Sequence, residues 1–348
     1  MKKRILVIRF SSLGDVILTT ALFPNLKAYY PDSEVTVLTK SAYAPIFNGN
    51  PSVDRVLPFN AEAETFSDLA RQVREQNFDM IIDLHGNLRS WFLRFVAGPP
   101  LSITVDKATL SRWALLFFKI STNELKKSVR ERILEVLTRL AIPIINTETQ
   151  LFPSHLNEVI SKFDLPQNQS LIGIAPGAKH ATKRWPVERF AEAANRLGAF
   201  PNTTVILLGD ESDRPVGEQV AAKLVVNHRN LIGKTSLPEL TAVVSRLSFL
   251  LTNDSGILHM AEALKIPLVS IFGPTVRAFG FAPYRSSSRV VEVSQLKCRP
   301  CTLHGDEVCP LKHHNCMKDV DVSAVMLAAS SLLTHLSVEA SGCSLEQL

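Results

Sequence analysis

No stretch of this 348-residue chain reaches the length of about 18 apolar residues that a membrane-spanning helix needs, so nothing is expected to cross a bilayer. No signal peptide is expected either: Met1-Lys2-Lys3-Arg4 precedes only a short apolar segment, with no cleavage site. Cysteine is scarce at five residues, and a cytoplasmic protein with reduced thiols is the expectation. Charge of one sign is also scarce. The net +5 is too small and scattered to argue for nucleic acid, though it suits an anionic substrate or an acidic membrane surface. No Walker A sequence and no Gly-x-Gly-x-x-Gly after a strand occur, which weakens P-loop and dinucleotide-binding readings.

What is present reads as a well-packed α/β protein: 46% hydrophobic against 20% charged residues, long enough for two domains. Ile5-Leu6-Val7-Ile8 has the continuous apolar character of a strand buried on both faces. Ser11-Ser12-Leu13-Gly14-Asp15 is a small-residue turn, and apolar residues at helical spacing follow from Val16. Further strands are predicted at 34–38, 55–59, 78–84 and 102–105, with helices at 61–75 and from the loop His85-Gly86-Asn87-Leu88-Arg89 to Ala97. Trp113-Ala114-Leu115-Leu116-Phe117-Phe118, flanked by lysines and arginines, reads as a core-facing helix with a solvated basic rim; the alternative is a surface segment for anionic lipid.

After a linker at 167–170 the pattern restarts, with strands at 171–175, 204–208, from Asn230, 248–252 and 268–272. Helices are predicted from Pro186 to Leu197, over 217–225, from Pro238, after Gly256 and over 322–335. Alternating strands and helices in both halves imply two Rossmann-like parallel sheets facing across a cleft. The domains are set at 1–167, 168–321, and a closing helix and tail at 322–348 placed where it could pack back on the first domain.

Asp15 lies in the first turn of a helix, where the macrodipole favours a carboxylate; helix capping and a site role both remain open for it. In the second half, Asn253-Asp254-Ser255-Gly256 places free backbone N–H groups at a helix start, Lys183-Arg184 follows another strand, and Gly273-Pro274-Thr275 ends a third. Each has an ordinary alternative as cap, solvated charge or turn, and together they point to a nucleotide diphosphate.

Arg9 to Asp15, Pro176-Gly177-Ala178 with Lys183-Arg184-Trp185-Pro186, Asn253 to Gly256 with His259, and Phe272 to Thr275 resemble glycosyltransferase family 9, the heptosyltransferase family of lipopolysaccharide core synthesis. The likeness spans roughly residues 1–320, and the Lys-Arg-Trp-Pro form is closer to the second heptosyltransferase of that pathway than to the first. It implies a GT-B fold and inverting transfer of heptose from ADP-L-glycero-D-manno-heptose to the lipid A–Kdo inner core, with no metal or other cofactor. The alternative is another nucleotide sugar, or an O-antigen, capsule or protein acceptor. The resemblance further implies Asp15 and Lys183 as catalytic groups. Lys183, Asp254, Ser255, Gly256, His259 and Gly233 would meet the donor, with Asp213 or another acid of 210–213 at the ribose. Ser11, Ser12, His85, Asn87 and Arg89 are candidates for the acceptor. Partners are then the nucleotide sugar, the lipopolysaccharide acceptor and the cytoplasmic face of the inner membrane. Departures stand at Ala178 and Lys179, where the first heptosyltransferase has a pair of threonines. Cys298-x2-Cys301 has metal-ligand spacing, but Cys309 and Cys316 do not complete a common zinc pattern, and reduced thiols in a loop are expected.

Overall fold

The computed structural model describes residues 2–333. It separates into two compact units: the chain up to Ser154 together with Arg277–Phe281, and His155–Val276 together with the chain from Ala282.

The first unit is built on five parallel strands, β1 (Arg4–Ile8), β2 (Glu34–Lys40), β3 (Arg55–Phe59), β4 (Met80–Asp83) and β5 (Leu101–Thr104), in the order β3-β2-β1-β4-β5. β1 pairs with β2 on one side and β4 on the other, and Ile5 to Ile8 are fully buried, as their unbroken apolar run requires. The helices are α1 (Leu13–Thr19), α2 (Phe23–Tyr29), α3 (Phe66–Glu75), α4 (Leu88–Ala97), α5 (Thr109–Phe118) and α6 (Val129–Arg139). The helix predicted after Gly14 breaks after Thr19, because the Thr19 and Thr20 hydroxyls donate back to the carbonyls of Val16 and Ile17 and Pro24 brings no N–H. α3 starts at Phe66 and not at residue 61, since Thr65 accepts from the Asp68 N–H and caps it there. The core-facing expectation for α5 is overturned: of its ten residues only Leu115 is buried.

The second unit holds β6 (Ser170–Ala175), β7 (Thr203–Leu207), β8 (His228–Asn230), β9 (Phe249–Asn253), β10 (Leu268–Phe272) and β11 (Ser288–Glu292), all parallel, in the order β11-β10-β9-β6-β7-β8. Its helices are α7 (Leu156–Lys162), α8 (Val187–Gly198), α9 (Arg214–Ala221), α10 (Leu237–Ser245), α11 (Gly256–Ala263), α12 (Asn315–Lys318) and α13 (Val322–Ser330). β11 escaped the sequence reading because Ser288-Arg289 opens it and, at the sheet edge, it is only half-buried. Trp185, Phe190, Phe249 and Ile271 share the core with Val322, Val325 and Ala329 of α13. The closing helix therefore packs within this unit, and 334–348 lie outside the described residues. The boundary falls after Ser154 and not at 167, since α7 packs on α10 and Lys162 pairs with Glu239 at 2.5 Å.

Both units have the Rossmann strand order, in which the chain reverses direction across the sheet beside its first strand. The crevice at the carboxyl ends of β1 and β4, and its counterpart at β6 and β9, are where this architecture binds ligands.

Candidate functional site

At the β1–β4 switch point, Asp15 sits in the first turn of α1. The Ser12 N–H (3.1 Å) and hydroxyl (2.9 Å) both donate to its Oδ2, while Arg9 Nη2 lies 2.5 Å from Oδ1. The carboxylate thus caps the start of α1 and stands at the switch point. Burial pushes the Asp15 carboxyl up, but Arg9 and the two Ser12 donors outweigh it and hold it below the usual value, so it is ionised at neutral pH. Arg9 is itself fixed by its Nε, which donates to the Ser11 carbonyl at 2.9 Å.

His85, at the end of β4, meets the Phe10 ring edge-on at 5.2 Å. Burial, together with the nearby Arg9 and Lys107 charges, pushes its imidazole down to about 4, so it is neutral at pH 7. Asn87 is occupied as the N-cap of α4, its Oδ1 accepting from the Ser90 N–H at 2.9 Å. Arg89 is exposed in the first turn of α4.

The sequence reading missed how many cations belong to this corner. Burial and the neighbouring Arg132 push Arg112 down to about 10, with Asp15 acting the other way. Arg132 is 4% exposed; Nη2 donates to the Glu124 carbonyl, while Nε and Nη1 are buried with no hydrogen-bond acceptor among the described residues. Arg112 Nε has none either. Buried guanidinium N–H groups without acceptors are unstable on their own and favour an incoming anion. These residues lie on α5 and α6, far along the chain from Asp15, and no spacing rule links them.

At the β6–β9 switch point, Lys183 Nζ lies 2.7 Å from Asp254 Oδ2, which also accepts from the Thr275 hydroxyl at 2.7 Å. Asn253 ties the two strand ends together: Nδ2 donates to the Pro176 carbonyl at 2.8 Å, and Oδ1 accepts from the Trp185 N–H at 3.2 Å. Ser255 caps no N–H of α11 with its side chain; its hydroxyl faces that of Thr252 at 3.3 Å. The first-turn N–H groups of α11 from Gly256 onward thus stand ready for an anion beside Lys183.

His259 is buried on α11 at 4% exposure. Gly233 has φ +72 and lies so close to Glu211 that a Cβ there would stand 2.4 Å from Oε2. Asp213, expected at a ribose, is instead buried against Gly177, where a Cβ would come within 2.0 Å of its carboxyl carbon. Burial and nearby Asp210 push Asp213 up. The acid exposed beside Gly233 is Glu211.

The cysteine-bearing loop buttresses Lys183. The Thr182 N–H and hydroxyl donate to the Asp306 carbonyl, His314 Nε2 is 2.7 Å from the Thr182 carbonyl, and Gly305 packs on His180 and Lys183. Burial, with the neighbouring thiols, pushes Cys301 up to about 12, and burial pushes Cys316 up to about 11, so both stay protonated at neutral pH. Among the described residues no three His, Cys, Asp or Glu side chains gather as a metal site would need.

The first crevice can accept a proton from a group on an anionic molecule; the second can hold a phosphorylated one. The family model for glycosyltransferase family 9 (heptosyltransferase) matches residues 66–312. Lipopolysaccharide heptosyltransferase 2 of Escherichia coli K12 is 27% identical over 312 residues, covering 83% of this chain and 88% of that protein. Lipooligosaccharide heptosyltransferase 2 of Haemophilus influenzae is 29% identical over 300 residues, covering 78% and 83%. A solved structure of E. coli ADP-heptose LPS heptosyltransferase II superposes with a TM-score of 0.76 at 25% identity, covering 97% of this chain and all of that one.

Proposed function

The chain belongs to glycosyltransferase family 9, and from that premise we propose that it transfers heptose from ADP-L-glycero-D-manno-heptose to the inner core of lipopolysaccharide, with inversion at the anomeric carbon. The observation that carries this reading is the division of chemistry between two like-ordered sheets. One switch point holds an ionised acid among surplus buried cations; the other holds a lysine beside uncapped helix N–H groups.

In the reaction the acceptor hydroxyl attacks the anomeric carbon, and its proton passes to an Asp15 carboxylate oxygen. The new C–O bond forms as the anomeric C–O bond to the diphosphate breaks, and ADP leaves with the electron pair. Lys183 and the backbone N–H groups at the start of α11 meet the charge growing on that leaving group. For this Lys183 exchanges Asp254 for a phosphate oxygen, a one-for-one swap of a charged partner. Ser255 and Gly256 frame the diphosphate, Gly233 and Glu211 the nucleoside end, and His259 of α11 the donor sugar or its phosphates. Charge stabilisation is thereby assigned to protein groups, with no metal or cofactor invoked.

On the acceptor side, Arg112 and Arg132 suit the carboxylates of Kdo or a phosphate, while neutral His85, Ser11 and Ser12 line the approach to Asp15. Arg89 reaches the outer part of the acceptor, and Asn87 shapes that approach as the cap of α4. Such an acceptor is lipid-anchored, which puts the enzyme at the cytoplasmic face of the inner membrane as a peripheral protein. Among the described residues no helix is long and apolar enough to cross a membrane.

The test is to incubate the folded protein with a panel of ADP- and UDP-sugars and heptose-deficient lipopolysaccharides. Transfer from ADP-heptose to a truncated core is expected. No such transfer overturns the reading, and transfer from another donor, or to another acceptor only, replaces it.

A further inference from the structure

Ten of the seventeen exposed large hydrophobic side chains among the described residues lie between Leu88 and Ile120. They are not scattered within it. On α4, Leu88, Trp91, Phe92 and Phe95 recur at i, i+3, i+4 and i+7, which is one face of a helix. On α5, Leu110, Trp113 and Phe117 do the same, with Phe118 alongside. A helix of a globular unit normally turns such a stripe inward; here Leu88 and Leu110 are each 85% exposed and Phe118 73%. The rings are ordered in pairs, Trp91 stacked on Phe95 at 5.6 Å and Trp113 on Phe117 at 5.0 Å.

Charge sorts with the aromatics. Residues 88–127 carry seven lysines and arginines against two acids, so the chain's entire excess of +5 is matched by this stretch. Arg89, Lys119, Lys126 and Lys127 are exposed. The two helices start side by side, because Gly86, just before α4, lies against the Lys107 side chain, just before α5. Both starts are at the carboxyl edge of the sheet that carries Asp15.

We propose that α4 and α5 form an interfacial docking surface for an anionic phospholipid bilayer. Their Trp and Phe rings enter the headgroup–acyl boundary, while the surrounding lysines and arginines engage lipid phosphates. This rests on the reading that the acceptor is lipid-anchored, and it names the surface that meets the lipid. Tryptophan and phenylalanine beside basic side chains are the composition of interfacial helices, and each basic residue near an anionic leaflet is worth about fivefold in partitioning. Docking there would bring the carboxyl edge bearing Asp15 to the layer from which the acceptor's sugar projects.

The experiment compares sedimentation with vesicles of phosphatidylcholine alone and of phosphatidylcholine with phosphatidylglycerol, together with tryptophan emission. Of the chain's three tryptophans, Trp185 is buried at 1% exposure and supplies a constant background, so a blue shift on binding reports Trp91 and Trp113. Binding to the anionic vesicles with a blue shift is expected, with about tenfold or greater loss in the double variant Phe95→Ser, Phe118→Ser. Lys119→Glu with Lys126→Glu should weaken binding at low salt and much less at high salt. Transfer of heptose to a soluble, delipidated core oligosaccharide should stay within about twofold in all variants. Equal sedimentation of parent and variants overturns the proposal. So does a blue shift that grows with protein concentration in the absence of vesicles, which would mark a self-association face. Absence of transfer to the soluble oligosaccharide strikes the functional reading and leaves the vesicle result standing.

Discussion

After the first strand of its sheet, the first unit carries an acid and the second carries a lysine. Asp15 follows β1 and takes its cation, Arg9, from the end of that same strand; Lys183 follows β6 and takes its anion, Asp254, from the end of β9. Strand order is shared, so the difference arises from a few loop residues, and it fixes what each crevice accepts. Around Asp15 the cations outnumber the acid, with Arg9, Lys107 and Arg112 all within its electrostatic reach, which draws in an anion while keeping the acid ionised. Around Lys183 the charges balance, and the surplus attraction comes from helix N–H groups. On the proposed function, an excess of side-chain charge on one side and backbone dipoles on the other would give two anion sites with different leverage on the chemistry.

The comparison breaks most sharply at Asp15. Asp15→Asn keeps the shape and removes the proton acceptor, so turnover should fall by about 10² to 10⁴ while the Kd for ADP stays near its parent value. Near-normal turnover would remove the contrast altogether, leaving Asp15 a helix cap. Lys183→Ala should slow turnover by roughly 10² and, unlike the Asp15 change, also weaken ADP binding measured by calorimetry. Unchanged ADP affinity would mean that Lys183 serves only Asp254. The smallest effect is expected from Arg9→Gln. With Arg9 present, the Asp15 pKa is depressed, so its ionised state is complete above the ordinary carboxylate value and is lost only as pH falls through the lower folded one. Removing Arg9 leaves burial unopposed by that charge, and the acid limb of the kcat/KM profile should move to higher pH. The rate at pH 8 should change only a few-fold, and an unmoved limb would show that Ser12 alone governs the carboxylate.

Sequence alone revealed the central strands, because a strand covered on both faces is apolar along its length, as Ile5 to Ile8 and Val205 to Leu207 are. It also revealed the strand-end loops, where small residues, Asp15, Lys183 and Asp254 break that pattern. Asp213 and Glu211 were not separable, since three acids in four positions carry no mark of which one Gly177 covers. Arg112 and Arg132 were visible only as a basic rim, because the nearness of Arg112 to Asp15 and of Arg132 to Arg112 depends on how α5 and α6 pack in the first unit. α5 was misassigned since an apolar helical stripe looks the same whether it faces a core or the outside.

The first unit is not written in one piece of the gene's order. Its Val129 N–H donates to the carbonyl of Gly280, and Arg112 donates to the carbonyl of Phe279, on the short excursion Arg277–Phe281. On the ribosome those two acceptors appear only after five strands of the second sheet, β6 to β10, have been made, long after Ser154 has emerged. Residue 112 is thus held in place by a carbonyl synthesised 167 residues later. Biosynthesis therefore delivers the acid of the first crevice early and completes its arginine lining late, so the anion-seeking character of that corner matures only when most of the chain exists.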